Sequence, residues 1–337
     1  VKEILSSLVR GVDLSPPQME RAVGLLMDGR ATQAQIGAFL AALRQKGESI
    51  DELTAAVHVI RSRAVPLGAE GPLLDTCGTG GDGRGTFNIS TATAFVAAAA
   101  GVRVAKHGNR AASGSVGAAD VLETLGARIE MTPGQALSVL ERTGITFLFA
   151  PNFHPAFRHV AAARKELGFR TLFNLTGPLC NPAGASRQLV GLFAREWMRP
   201  VGEVFLRLGC DRVMIVHGAD GSDEMTTTGP TFVVEVSGEN IREFSVSPSD
   251  VGLAEAEAAD LKGGDAETNA AILRSLLGGE SGPRADVVAL NAGAALYVGG
   301  KAATIGDGVA SARRLLRAGT PLERMQAFIA ATRETTA

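Results

Sequence analysis

Between the apolar run Pro72–Leu74 and the alanine-rich stretch Ala92–Ala100 the chain sets five glycines within eight residues: Gly78, Gly80, Gly81, Gly83 and Gly85. Glycine reaches φ > 0 and lets a main chain come close to a ligand, so this order predicts a strand, an amide-lined loop and a helix N-terminus. A flexible glycine turn is the plainer reading. Asn88, Ser90 and Thr91 favour the anion site, because they put side-chain donors and a hydroxyl cap where the helix begins, and helix amides with their dipole attract phosphate. Gly78 to Gly83 spells GxGxxG, but the next acid after Asp82 is Asp120, too distant for a ribose clamp, and GxxxxGK[ST] is absent. Dinucleotide and Walker-type sites lose ground.

The chain has 337 residues, 45% apolar and 20% charged, enough for about two domains with a large core. A net charge of -2 gives no general attraction to nucleic acid or anionic membrane, and one Trp and one Tyr leave few platforms for stacking bases. Cys77, Cys180 and Cys210 are far apart and lack CxxC spacing, which suits reduced thiols. No basic-then-apolar signal pattern and no apolar run of about 20 residues appears, so a cytoplasmic location without membrane contact is expected.

The first segment carries helical stripes, Met19, Val23, Leu26, Met27 and then Ile36, Phe39, Leu40, Leu43. Ser15 with Gln18, Thr32 with Gln35, and Ser49 with Glu52 match capping boxes, and Pro16 suits a first helical position. Residues 1–66 are therefore expected to form a small four-helix domain, ending in the Pro- and Gly-rich stretch 65–72. Beyond it, short apolar strands alternate with helices, which predicts an α/β domain over 67–337. Candidate strands are 73–75, 102–105, 147–149, 213–216 and 232–236; candidate helices follow the glycine loop and occupy 119–125, 133–143, 200–208, 266–277, 285–297, 306–318 and 321–333. A basic helical stretch, 159–167, interrupts the alternation, and the segment 155–180 is expected to return to the helical domain.

Lys106, His107, Asn109 and Arg110 follow the second strand candidate and lead into another small-residue loop, so a second anion cradle is expected beside a plain solvated basic turn. Asp223 and Glu224 on a loop after the strand 213–216 can offer oxygens to Mg²⁺, although an exposed acidic turn is the ordinary alternative. A guanidinium such as Arg164 can hold a carboxylate by a fork, yet spacing alone does not choose it over Arg158, Lys165 and Arg170. His107 and His154 are possible donors or structural contacts. No Ser/His/Asp arrangement and no HExxH segment occurs.

Four segments taken together, GTGGDGRGTFNIST at 78–91, KHGNRAASG at 106–114, 154–182 and HGADGSDE at 217–224, resemble the anthranilate phosphoribosyltransferase family in content and order. The resemblance implies a small helical domain joined to a larger domain with a central, mainly parallel sheet flanked by helices, and a homodimer. It further implies transfer of the phosphoribosyl group of phosphoribosyl pyrophosphate (PRPP) to anthranilate, with Mg²⁺, in tryptophan biosynthesis. Carried over by motif, the PRPP site comprises Gly78, Thr79, Gly81, Asp82, Thr86, Asn88, Ile89, Ser90, Thr91, Lys106, His107, Gly108, Asn109, Arg110, Ala111, Ala112, Ser113 and Gly114. Ser90, Asp223 and Glu224 match the metal positions; Gly78, Asn109 and Arg164 match anthranilate contacts, with His107 and His154 as further candidates. Ala118 stands where relatives often have Ser, and Ser222 replaces a commonly apolar residue, departures that bear on the phosphate contacts and on the stiffness of the acidic loop. A pyrimidine nucleoside phosphorylase-like pentosyltransferase of similar fold, which would need no acidic pair, and a non-catalytic, nucleic-acid-binding relative, which the phosphate loops, low net charge and scarce aromatic residues oppose, are the alternatives.

Overall fold

The helix starts of the first segment are built as their side chains dictate. In the computed structural model, which describes residues 2–111 and 116–335, Thr32 accepts from the Gln35 amide at 3.2 Å while Gln35 accepts from the Thr32 amide at 3.0 Å. Ser49 and Glu52 exchange the same pair of bonds, at 3.2 and 2.8 Å. At Ser15 only the return arm forms: Gln18 accepts from both the amide and the hydroxyl of Ser15. Each such cap satisfies helix-end donors that would otherwise stay open. The resulting helices are α1 (Lys2–Val9), α2 (Pro16–Met27), α3 (Gln33–Lys46) and α4 (Ile50–Ser62).

Next come β1 (Leu74–Gly78), α5 (Ile89–Ala99), β2 (Val104–Gly108), α6 (Ala118–Leu125), α7 (Pro133–Thr143) and β3 (Ile145–Phe149). The segment after β3 holds the short α8 (Ala150–Phe153), a 3-10 turn at Pro155–His159, α9 (Ala161–Leu167) and α10 (Leu172–Thr176). Gly168, at φ 65°, ends α9 where a side chain would be strained. From this segment α9 packs on α3, and α10 packs on α3 and α4. The chain continues with β4 (Arg187–Gly191), α11 (Met198–Arg207), β5 (Arg212–Gly218), β6 (Thr231–Ser237) and β7 (Asn240–Val246). It closes with α12 (Ala266–Leu277), α13 (Pro283–Val298), α14 (Ile305–Ala318) and α15 (Thr320–Glu334).

One sheet orders its strands β3-β2-β1-β4-β5-β6-β7; the first five run parallel and the last two antiparallel. Alternation along β5 feeds both faces. Val213 and Ile215 join a core with α1 to α4 and α11, whereas Met214 and Val216 join the core of α5 and the C-terminal helices. The small helical domain therefore packs against one face of the larger domain's sheet.

The strands at β1 and β2 run further than the sequence indicates. Lys106, His107 and Gly108 are not in a loop after the strand; they pair with Phe147, Leu148 and Phe149 of β3 as its last three residues. β4 and β7 have no counterpart among the expected strands. β4 begins with Arg187 and Gln188, and β7 is an edge strand with mostly exposed, polar residues. Among the described residues no helix is long and apolar enough to cross a membrane.

Candidate active site

β1 leads to β2 on one side of the sheet while β4 lies on its other side, so the strand order reverses between the carboxyl ends of β1 and β4. Open α/β sheets bind ligands at such a crevice. Gly78 and Gly191 face each other there as the last residues of the two strands. A Cβ on Gly191 would fall 1.5 Å from the carbonyl oxygen of Asp223, and one on Gly78 would fall 2.5 Å from its Oδ2. These glycines are required because the acidic turn lies directly over the strand ends.

The turn and the glycine loop are laced together. The Gly80 amide donates to Asp223 Oδ2 at 2.6 Å, and the Asp223 amide donates to Asp82 at 3.4 Å. Gly80 and Gly81, at φ 69° and 71°, hold the left-handed backbone this needs. Behind the turn, Asp220 accepts from Ser222 Oγ at 2.7 Å, Thr226 Oγ1 at 2.9 Å and Thr228 Oγ1 at 2.7 Å. Burial works against its charge, but the bonds from Ser222, Thr228 and Thr226 outweigh it and hold the carboxyl below its ordinary range. Ser222 thus stiffens the turn, which answers the doubt its identity raised.

Asp223 is buried and Glu224 half-buried. Burial, with the neighbouring Asp82, pushes Asp223 up to about 6, and burial together with Asp223 pushes Glu224 up to about 8. Crowded carboxylates short of positive charge fit a divalent cation. Among the described residues no three His, Cys, Asp or Glu side chains form a ready cage. That also suits Mg²⁺, which takes one or two carboxylates and completes its shell with water and phosphate oxygens.

The two expected cradles share one floor. Lys106, 4% exposed, donates Nζ to the Thr76 carbonyl and to Ser90 Oγ, the latter at 3.2 Å. Asn88 Nδ2 donates to the Val116 carbonyl at 2.9 Å, tying the start of α5 to the loop before α6. Several other expected residues are turned elsewhere. Ile89 and Thr91 are buried in the core, and Thr79 Oγ1 accepts from the Phe193 amide at 3.0 Å. Thr86 forms a bridge to Lys262. The Arg110 guanidinium is taken by Glu123, with Asp120 at 3.5 Å. The Ala111 amide donates to Asp120 at 3.1 Å. Ala112, Ser113 and Gly114 lie outside the described residues.

A row of rings leads away from this floor. His107 and His154 lie 5.1 Å apart, His154 and Phe157 5.9 Å, Phe157 and Phe173 5.2 Å. Arg164 ends the row, its guanidinium 5.7 Å from the Phe157 ring and 5.4 Å from the Phe173 ring. Burial lowers its pKa, and among the described residues no carboxylate pairs with it. Burial also keeps both imidazoles neutral, His107 down to about 3 and His154 down to about 4. One nitrogen of each bonds to a backbone carbonyl, of Gly177 and Cys180 respectively, and each Nε2 is buried without a partner among the described residues. Sequence reasoning did not single out Asp75 or Asn181, both buried beneath the floor; an acid inside an apolar parallel strand is the signal that could have found the first.

The helical bundle, the parallel sheet and the phosphate-type crevice define a transferase class: models of the glycosyl transferase family match this chain, the helical bundle domain over residues 2–64 and the a/b domain over 70–322. The chain is 49% identical to anthranilate phosphoribosyltransferase of Parvibaculum lavamentivorans over 331 residues, 98% of this chain and 97% of the relative. It is 50% identical to that of Paramagnetospirillum magneticum over 335 residues, 99% and 97%. The crystal structure of the Thermus thermophilus enzyme superposes with a TM-score of 0.93 at 44% identity, covering 98% of this chain and 99% of that one. The Saccharomyces cerevisiae enzyme in complex with PRPP and Mg superposes with a TM-score of 0.88 at 26% identity, over 96% and 94%. This chain belongs to the anthranilate phosphoribosyltransferase family.

Proposed function

We propose that the chain transfers the 5-phosphoribosyl group of PRPP to the amine of anthranilate, releasing pyrophosphate and giving N-(5-phosphoribosyl)anthranilate in tryptophan biosynthesis. The single observation that carries this reading is Arg164, a half-buried guanidinium with no carboxylate partner among the described residues, set over two phenyl rings at the end of a row of neutral rings that starts beside the phosphate-type loops. A planar aminobenzoate with one carboxylate suits that arrangement.

In this reading the amides of the glycine loop, Lys106, Ser90, Asn88 and Asn109 hold the phosphates and the ribose, and Arg164 orients the aromatic acid. Asp223, Glu224 and Ser90 would hold Mg²⁺, which when bound neutralises charge gathering on the departing pyrophosphate. His107 and His154 are further candidates for contact with the aromatic acid, and burial keeps both imidazoles neutral. Proximity then does much of the work, because an aromatic amine sheds its proton readily once bonded to carbon; no general base is assigned.

The domain limits that accompany this reading are 1–66 and 67–337, with 155–180 counted with the first. We also place the chain in the cytoplasm as a homodimer, on the family resemblance and on its three unpaired cysteines. Incubation with PRPP, anthranilate and Mg²⁺, followed by loss of anthranilate fluorescence, tests the activity. Steady fluorescence with folded protein would reject it.

A further inference from the structure

The loops of the site hang from strands that are unequally joined. β1 pairs with β4 over five registered positions and β2 with β3 over five, yet β1 and β2 share only Leu74 with Val104. Past that pair the two strands part, and side chains replace the ladder. Asp75, fully buried, accepts from the His107 amide through Oδ1 at 3.1 Å and from Asn181 Nδ2 through Oδ2 at 2.8 Å. Asn181 also donates to the Ala105 carbonyl at 2.8 Å and accepts from the Ala183 amide at 2.8 Å. From the other strand, Lys106 Nζ donates to the Thr76 carbonyl.

Each partner belongs to a different part of the proposed site. β1 runs into the glycine loop, β2 carries His107, ends at Gly108 and leads to Asn109, and Asn181 closes the segment that carries Arg164. We infer that Asp75, clamped by Asn181, is the positioning residue that sets these three segments against one another. The inference rests on the phosphoribosyl transfer proposed above.

A carboxylate is the side chain this place demands, because the His107 amide and Asn181 Nδ2 that bond it both donate. Asparagine would turn one acceptor into a donor facing another donor, and an apolar residue would leave both donors open in the interior. Burial holds the Asp75 carboxyl above its ordinary range, although Lys106 beside it and the bonds from Asn181, His107 and Cys77 pull it down. The cluster is thus held by mutual satisfaction of buried groups, which fixes geometry more tightly than apolar contact does.

Asp75→Asn, Asn181→Ala and the swap Asp75→Asn with Asn181→Asp test this, read by thermal melting, by hydrogen exchange and by kinetics with PRPP and anthranilate. Asp75→Asn should speed exchange at least tenfold in both 76–81 and 106–110 while α13 stays protected, and should lower kcat at least tenfold. The swap, which restores a donor facing an acceptor, should recover part of that kcat. Unchanged exchange in the two segments overturns the inference, and so does a lowered melting temperature with wild-type kcat, the mark of a merely structural residue. If Asp75→Asn does not fold, Asn181→Ala must show the same two changes. If the wild type itself does not turn over, the proposed activity falls and the exchange data alone decide the clamp.

Discussion

Arg164 shows how a single side chain reports a substrate through what it lacks. A guanidinium half-buried beside Phe157 and Phe173, with no carboxylate partner among the described residues, is poorly compensated, and a bound carboxylate relieves it. A hydrogen-bonded charged pair contributes about 1.5–3 kcal/mol. Arg164→Ala should therefore raise the KM for anthranilate by about tenfold to a hundredfold and leave the KM for PRPP near its starting value; initial rates over a matrix of both substrates check this, and unchanged anthranilate kinetics reject the clamp. The acidic pair is read differently, through crowding rather than isolation. Changing Asp223 to Asn together with Glu224 to Gln removes the charge that Asp82 opposes, and the activity should lose its dependence on free Mg²⁺ between micromolar and millimolar concentrations. A titration indistinguishable from wild type would separate these residues from the metal.

At the scale of elements, the close approach of the acidic turn to β1 and β4 makes a sharper demand. Gly191→Ala sets a Cβ against the Asp223 carbonyl, a backbone atom that a side-chain rotation cannot clear. The turn must lift, so Gly191→Ala should cost about 1–3 kcal/mol in stability by overpacking and should weaken the Mg²⁺ response as well. Chemical denaturation and a Mg²⁺ titration of activity check the two effects; a variant with wild-type values for both would mean that the turn moves freely. This requirement is invisible in the sequence, where Gly191 is one glycine among 41. The glycine loop, the caps at Thr32 and Ser49 and the stripes of α2 and α3 were legible because each is a local pattern with a local cause. β4 was not, because it opens on the polar pair Arg187 and Gln188, and the burial of Gln188, whose Nε2 donates only to the nearby Ala185 carbonyl, is set by the strands packed on either side. Nor was the fate of Arg110, whose guanidinium goes to Glu123 thirteen residues later on α6 rather than to the cradle its neighbours line. Arg164 could not be told from Arg158, Lys165 and Arg170 until the fold laid Phe157 and Phe173 beside it.

For the whole molecule, the two neutral histidines tie acid stability to the joint between the helical segment and the sheet. His107 belongs to β2 and His154 to the segment after β3, and their rings meet where Gly177 and Cys180 accept from them. Both folded values, about 3 and about 4, lie below the unfolded value near 6.5. Between those limits the unfolded chain binds more protons, so the stability that depends on neutral histidine is complete above pH 6.5 and is lost as pH falls towards 4, where the loss levels off. Each histidine should remove about 2 kcal/mol at pH 5 relative to pH 7. Buried carboxylates titrate over part of the same range, so the histidine contribution is isolated by difference: His154→Gln keeps a donor for the Cys180 carbonyl but cannot take up a proton. The gap in unfolding free energy between wild type and His154→Gln should change by about 1.4 kcal/mol per pH unit through the middle of the window, in the direction that favours the variant as acid is added. Urea melts at pH 7, 6 and 5 measure it. Parallel curves for the two proteins would mean that His154 titrates normally and that the ring row is open to water.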